Sequence, residues 1–287
     1  MSGDQVQGIV RLVVGVALCV GLVDALLLCA WFFHDVVGKP ARPWFASTWS
    51  LLHVWFAIQG AVLMVGVASL AVGLALGGRV SAGPMVGLVF FQNVVFVAVS
   101  SSLIFGSYGA DMPAVGVTWL PRRRDLLVGL GLGVLLCALG ALVQAGSAWL
   151  LHATVSSGRL KWLEEATRAL SASRFFPRDQ VLASPGLFAS VLVAIGIATP
   201  IGEEFLFRAL LHRTARLRLG AFWGTAVSSA AFALVHAGPL QVLAILPMGV
   251  ALGVAYDRTR SLWAPILMHA VNNTLGVLAL YFLPGMN

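Results

Sequence analysis

The chain has 287 residues, of which 59% are hydrophobic and only 10% are charged. Because an average soluble domain carries about 25% charged residues, this composition excludes a globular enzyme with a single membrane anchor. The net charge of +7 comes mostly from arginines that flank apolar runs, which is typical of topology anchors and not of a nucleic-acid-binding face. We therefore expect an integral membrane protein with no nucleic-acid partner.

Eight apolar segments are predicted to cross a membrane. They are long and lack the alternation of a barrel strand, and a helix satisfies the backbone hydrogen bonds of each span internally. At about 20 residues per span, they leave no room for a separate soluble domain, so residues 1–287 are predicted to form a single membrane domain. The fold class predicted is an all-α polytopic bundle of about eight transmembrane helices. The predicted spans are 8–33, 51–77, 85–105, 126–152, 186–212, 222–236, 240–255 and 262–283.

The connection 153–184 is the one long polar segment between spans. Leu160, Leu163, Thr167 and Leu170 share one helical face in it, with Trp162 beside them. We expect a short amphipathic helix that lies at the membrane interface.

Small and polar residues inside spans predict where helices approach each other closely. Glycines spaced four apart allow such an approach. They occur as Gly73 with Gly77, Gly129 with Gly133, and Gly249 with Gly253. Gln92 and Asn93 are interpreted as helix–helix contacts.

Spans six and seven are short, and Pro239 and Pro247 are predicted to interrupt them. Broken helices at membrane depth are tolerated where they line a cavity.

Glu203, Glu204 and Arg208 lie in a segment that otherwise has the composition of a membrane span. A charged side chain at the bilayer centre costs roughly 2.5–3.5 kcal/mol, so an ionisable cluster there indicates a functional site. Glu204 and Arg208 are four residues apart and can pair on one helical face, whereas Glu203 is rotated by about 100° from Glu204. The two acids therefore need not have the same role.

Two histidines in later spans are predicted to lie at the same depth as these acids. Glu203 is about 15 Å from the end of its span, His269 about 13 Å and His236 about 21 Å, with all three ends on one side. Asn273 follows His269 by one helical turn, so both can point at one target, with Asn272 as a possible substitute. The other histidines near span ends, His212 among them, are interpreted as interfacial.

These residue types together fit water attack on a peptide carbonyl. A carboxylate beside a second carboxylate and an arginine can be adjusted to serve as a general base. Histidine and asparagine side chains can stabilise the oxyanion of a tetrahedral intermediate.

Three motifs occur in order along the chain. They are Glu203-Glu204-x-x-x-Arg208, Phe232-x-x-x-His236 and His269-x-x-x-Asn273. Together they resemble the motifs of the CPBP family, the CAAX-prenyl-protease and bacteriocin-processing membrane proteins that include the type II CAAX endopeptidases. The resemblance covers about residues 186–283, and the first four spans carry no matching motif.

The resemblance implies an eight-helix intramembrane endopeptidase. It implies Glu203 as the base that activates water with help from His236, and His269 and Asn273 as oxyanion donors. Glu204 and Arg208 would then have orienting or structural roles. The implied partner is a membrane-tethered peptide or a lipidated protein, and the expected location is a bacterial inner membrane.

Metal dependence is left open by the sequence. Two histidines and a glutamate can hold zinc with an open position for water, and the ligand set would then be Glu203, His236 and His269. However, the chain has no His-Glu-x-x-His helix. The sequence therefore establishes no cofactor, and zinc remains a candidate.

Two rival functions also remain open. The first is a family member without proteolytic activity that acts as a binding or immunity protein. The second is a transporter that uses the acids as a proton relay, although such a protein should show internal repeats and the two halves of this chain do not correspond.

Overall fold

The computed structural model describes residues 51–77, 81–108, 112–170, 175–236 and 239–283. They belong to a compact unit that comprises Trp49–Asn287. The first predicted span, 8–33, lies outside the described residues.

Within the described ranges the chain is helical and contains no β-strand. The α-helices are α1 (Leu51–Ala75), α2 (Ala82–Tyr108), α3 (Arg123–Thr154), α4 (Ser157–Leu170), α5 (Arg178–Leu182), α6 (Pro185–Val193), α7 (Thr199–Glu204), α8 (Arg213–Leu234), α9 (Pro239–Thr259) and α10 (Trp263–Phe282), with a 3₁₀ turn at Met112–Val115. Two π-helical stretches, Ala194–Ala198 and Phe205–His212, connect α6 to α7 and α7 to α8.

Six helical segments in the described part of the chain are long and apolar enough to cross a membrane. The longest, Pro185–Leu234, contains both predicted spans 186–212 and 222–236. Gly220 separates the two, because its φ of 82° is not helical and glycine adopts that conformation without a steric penalty. Each predicted span after the first therefore corresponds to a helix, and the all-α polytopic membrane bundle is confirmed.

The predicted interruption by Pro247 is wrong, because α9 runs continuously through that residue. Prolines are tolerated inside transmembrane helices, where neighbouring groups satisfy the backbone that they free. Pro239 is the first residue of α9, a position where its missing N–H has no helical partner in any case.

The glycines of α3 lie directly against α10, as their spacing predicts. A Cβ at Gly129 would lie 2.4 Å from Cβ of Leu267, and a Cβ at Gly133 would lie 2.8 Å from Cβ of Val271. These distances are shorter than carbon atoms tolerate, so the two helices approach this closely only because both positions lack a side chain.

The other two glycine pairs differ from each other. Gly249 and Gly253 of α9 face neighbouring helices, and a Cβ at Gly249 would lie 3.0 Å from Cα of Ser229. No atom of the described residues lies within 4 Å of a Cβ built at Gly73 or Gly77. The predicted close approach is thus confirmed on α9 and is wrong for α1 within the described part of the chain.

The predicted amphipathic helix is present as α4. Leu160 is buried and Trp162 is 60% exposed, so the helix has one covered and one open side. The imidazole Nε2 of His152 lies 3.5 Å from Oε1 of Glu164, which links α4 back to the end of α3. Its position at a membrane interface remains a prediction.

The main hydrophobic core surrounds the second π-helical stretch. Phe207, Leu210, Phe232, Leu252 and Met268 are buried there and come from the π stretch, α8, α9 and α10. The charged residues of the candidate site are therefore embedded in apolar side chains and depend on one another for polar partners.

Candidate active site

The end of α7, the π stretch, the end of α8 and α10 bring the five predicted acidic, basic and histidine side chains together. These residues are Glu203, Glu204, Arg208, His236 and His269. The predicted common depth of the three motifs is therefore confirmed by their contacts.

Glu204 and Arg208 form a fully buried ion pair. Nη1 of Arg208 donates to Oε1 of Glu204 at 3.0 Å, and the two side chains are 1% and 0% exposed. Nη2 of Arg208 donates to the carbonyl of Gly249 at 3.3 Å, and its Cζ lies 4.3 Å from the ring centroid of Phe232. A buried guanidinium needs such compensation. The pair was predicted by the four-residue spacing, whereas the Gly249 and Phe232 contacts had no sequence signal.

Glu204 also holds His269. The same oxygen, Oε1, lies 2.9 Å from Nδ1 of His269. With a carboxylate at this distance, Nδ1 is the nitrogen that donates, and the ring orientation is fixed. The second ring nitrogen, Nε2, then faces Glu203. The sequence did not predict this contact, because it depends on how α10 is rotated relative to α7.

Glu203 has surroundings different from those of Glu204. Its side chain is 9% exposed, and its Oε2 lies 3.9 Å from Nε2 of His236 and 3.8 Å from Nε2 of His269. Oε2 has no hydrogen-bond partner among the described residues. Distances of this size are too long for a direct hydrogen bond but suit one small group held between the three atoms.

His236 is the most exposed member of the cluster. Its Nδ1 lies 2.7 Å from the carbonyl of Phe232, and its side chain is 28% exposed. The Phe232 ring packs 4.8 Å from the imidazole centroid, as its position one turn earlier predicts. Since Nδ1 is held by a carbonyl oxygen, Nε2 is the nitrogen that faces Glu203.

The amide of Asn273 is directed at the backbone of the first π stretch. Its Nδ2 donates to the carbonyl of Ile195 at 3.1 Å. In an α-helix the carbonyl of Ile195 would accept from the N–H of Thr199, but that N–H bonds to the carbonyl of Ala194 instead. The next residue, Pro200, has no N–H to donate. Asn273 therefore uses one N–H to satisfy the backbone and retains a second.

Gly196 makes this contact possible. A Cβ at Gly196 would lie 2.6 Å from Oγ1 of Thr274. A side chain at this position would require the hydroxyl of Thr274, the neighbour of Asn273, to move. The alternative residue, Asn272, bonds instead to Asn273 Oδ1 at 3.4 Å and contacts Met248 Sδ at 3.7 Å.

The interfacial interpretation of His212 is wrong. Its side chain is fully buried, with Nδ1 at 2.9 Å from Oγ of Ser228 and Nε2 at 3.2 Å from Oδ1 of Asp257. Asp257 also pairs with Arg216. The cluster joins the π stretch, α8 and α9, and its partners could not be read from position relative to a span end.

Within the described ranges, no three His, Cys, Asp or Glu side chains lie close enough together to hold a metal ion. Glu203, His236 and His269, the predicted zinc ligands, therefore do not form a metal-binding group as the structure places them. We derive no chemical step through a metal.

Fold and site together define a polytopic all-α membrane protein with a buried glutamate–histidine cluster between its helices. Residues 185–275 match the family described as type II CAAX prenyl endopeptidase Rce1-like. Every residue of the three motifs lies inside this segment. The chain is similar to this family over that segment, and the resemblance to the CPBP family predicted from the motifs is confirmed there.

Curated relatives match a segment of this chain of similar length. "Putative membrane peptidase YdiL" of Bacillus subtilis is 31% identical over 88 residues, which are 31% of this chain and 36% of YdiL. "UPF0177 protein YaiF" of Lactococcus lactis is 36% identical over 91 residues, or 31% of this chain and 40% of YaiF. The matched segment thus spans less than half of these relatives. No solved structure matches the chain.

Proposed function

We propose that this protein is an intramembrane endopeptidase that hydrolyses a peptide bond in a membrane-tethered substrate. The observation that carries the proposal is the buried Oε2 of Glu203, which faces two imidazole nitrogens and has no hydrogen-bond partner in the described part of the chain. The family match and the peptidase name of YdiL support the same reaction class.

Glu203 is the general base of the proposed reaction. A water molecule held between Oε2 and the two Nε2 atoms loses a proton to Glu203 as its oxygen attacks the carbonyl carbon of the scissile bond. When the carbon–nitrogen bond breaks, the proton passes from Glu203 to the leaving amine. The products are one new amine and one new carboxylic acid, which gives up the second proton of the water to the amine or to solvent, and the enzyme returns to its starting state.

His236 and His269 flank this water. His236 assists Glu203, because its Nε2 lies 3.9 Å from Oε2 and its side chain is the more exposed of the two histidines. His269, as an imidazolium with its Nδ1–H on Glu204, contributes Nε2–H to the oxyanion. Asn273 contributes the N–H that it does not use on Ile195.

Glu204 and Arg208 position the site and do not take part in proton transfer. The carboxylate of Glu204 accepts from both Arg208 and His269, so it fixes the imidazole that faces Glu203. Removing either partner leaves a buried charge uncompensated.

The proposed substrate is a peptide or lipidated protein tethered to the membrane, because the site lies within membrane-spanning helices. A bacterial inner membrane is the proposed location. A farnesylated C-terminal peptide and an unmodified single-span peptide are suitable probes for the two substrate types.

The proposal is tested by comparing new peptide termini in membranes that contain the wild type or the Glu203→Gln variant. We expect cleavage products that appear with the wild type only, identified by mass spectrometry after labelling of free amines. Identical peptides in both membranes, with both proteins folded, would count against proteolysis. Glu203-dependent binding of an intact peptide would then favour a binding or immunity protein, and Glu203-dependent proton flux in proteoliposomes would favour a transporter.

Chelator addition separates the metal-dependent reaction from the metal-free one. We expect the wild type to keep its cleavage rate in chelator, because the described side chains do not form a metal set. A rate that is lost in chelator and restored by zinc would contradict the metal-free mechanism.

A further inference from the structure

Asn93 of α2 lies outside all three motifs and contacts the turn that carries Glu203. Its side chain is buried, with 4% of the residue exposed. Its Nδ2 donates to Oγ1 of Thr199 at 3.2 Å and to the carbonyl of Val89 at 2.8 Å. The hydroxyl of Thr199 in turn donates to the carbonyl of Ala194 at 3.0 Å. Asn93 is therefore linked by hydrogen bonds to the first residue of α7.

Asn93 also touches the residue immediately before Glu203. A Cβ at Gly202 would lie 2.2 Å from Oδ1 of Asn93 and 2.8 Å from its Cα and Cβ. Gly202 is therefore in direct contact with Asn93, which touches α7 at both Thr199 and Gly202. These two positions are three residues apart and lie on neighbouring parts of one helical face.

The short helix α7 needs such an external contact. It has six residues, Thr199–Glu204, between two π-helical stretches. Each residue of a helix is rotated by about 100° from the one before it, so a small change in winding turns Glu203 away from the histidines. The contacts from α2 reach α7 independently of the stretches on either side.

Oδ1 of Asn93 is buried and has no hydrogen-bond partner among the described residues. An apolar side chain of similar size would fill the space without leaving a polar atom unpaired. The presence of an amide at this position therefore indicates a role for its N–H groups beyond packing.

We propose that Asn93 is a positioning residue for Glu203, which it orients through Thr199 and Gly202. This inference rests on the proposed function of Glu203. It assigns part of the site to α2, a helix outside the segment matched by the family.

The first test measures Glu203 directly and does not depend on any substrate. Dicyclohexylcarbodiimide labels buried carboxyl groups, and the rate of labelling at Glu203 can be followed by mass spectrometry of the full-length protein in detergent. We expect Asn93→Ala and Thr199→Val to change this rate, because both remove the hydrogen bond that sets the rotation of α7. Thr199→Ser keeps the hydroxyl and should keep the wild-type rate. A rate at Glu203 that is the same in Asn93→Ala as in the wild type would overturn the inference.

Ser100→Ala is the matched control. Ser100 is also a fully buried polar residue of α2, and its Oγ has no hydrogen-bond partner in the described part of the chain. Its replacement should leave the labelling rate unchanged. If Ser100→Ala alters labelling as much as Asn93→Ala, the effect belongs to α2 packing and the inference fails.

The second test uses cleavage of the farnesylated and single-span peptides in proteoliposomes. We expect Asn93→Ala and Thr199→Val each to lower kcat about tenfold or more with little change in KM, since misplacement of a catalytic group slows the chemical step. The double variant should be no slower than the slower single variant, because both changes break the same hydrogen bond between Asn93 and Thr199. A double variant whose loss of kcat is the product of the two single losses would contradict the positioning role of Asn93. A wild-type kcat per folded molecule in Asn93→Ala would contradict it as well.

Glu203→Gln in the same assay separates the two proposals. Cleavage that needs Glu203 but is unaffected by Asn93→Ala would reject only the role of Asn93. Equal cleavage by the wild type and Glu203→Gln would reject the proposed function instead.

Discussion

Two adjacent glutamates have different environments in this protein. Glu204 accepts hydrogen bonds from Arg208 and His269 through Oε1, so its charge is compensated inside the bundle, while its Oε2 has no partner among the described residues. The Oε2 atom of Glu203 also lacks a hydrogen-bond partner there, but it faces Nε2 of both His236 and His269. A buried carboxylate oxygen without a partner costs stability, and that cost is typical of groups that act on a substrate.

Stability measurements should therefore separate Glu203 from Glu204. We expect Glu204→Gln to lower the free energy of unfolding by about 3–5 kcal/mol, because it leaves Arg208 as an uncompensated buried charge. Glu203→Gln, the matched control one residue away, should change it little. Unfolding in detergent, followed by circular dichroism, measures both. Equal losses for the two variants would mean that Glu203 is also part of the structural ion pair.

Helix spacing made part of the site predictable at the residue scale. The pair Glu204–Arg208 follows from four-residue spacing, and so does the packing of Phe232 against His236. The contact of Glu204 with His269 was not predictable, because it depends on the relative rotation of two helices. Asn273 was predicted to face the same target as His269, yet its amide is held by a carbonyl that a π stretch and Pro200 leave free.

At the scale of elements, α3 packs directly against α10, which carries His269. We expect Gly129→Ala to destabilise the protein by about 1–3 kcal/mol, since its Cβ would lie 2.4 Å from Cβ of Leu267. Gly131→Ala on the same helix is the control, because no described atom lies within 4 Å of that position. Thermal unfolding of both variants tests the packing, and a loss at Gly131 as large as at Gly129 would contradict it.

The buried cluster around His212 links the π stretch to α8 and α9. We expect Ser228→Ala to lower stability by about 1–3 kcal/mol, because it removes the partner of Nδ1 of His212. Ser229→Ala is the neighbouring control, since the Ser229 hydroxyl is buried with no partner among the described residues and its removal should be neutral or stabilising. Denaturant unfolding in detergent compares the two. A larger loss for Ser229→Ala would show that the cluster does not link these helices.

The helical type of the elements was largely predictable, because a long apolar segment that crosses a membrane forms a helix unless it belongs to a closed barrel. The break at Gly220 lies between the two predicted spans 186–212 and 222–236. The π-helical stretches were not predictable, since they replace one hydrogen-bond register by another without a compositional signal. The continuous passage of α9 through Pro247 was not predicted, because a proline in a transmembrane helix does not by itself show whether the helix breaks there.

At the scale of the whole molecule, the candidate site is enclosed by helices that could cross a membrane. The site residues come from three separate segments of the chain, all within residues 185–275. Helix α2 lies outside this segment and still contacts α7 through Asn93. A helix outside the matched segment therefore contacts the turn that carries Glu203, and the three motifs give no sign of this contact.

The most direct test of the central claim is hydrolysis of a membrane-tethered peptide in water enriched in ¹⁸O. We predict that wild-type protein in proteoliposomes inserts one ¹⁸O atom into the new carboxyl terminus and that Glu203→Gln, folded to the same extent, inserts none. Equal incorporation by the two proteins would contradict the assignment of Glu203 as the base that activates water.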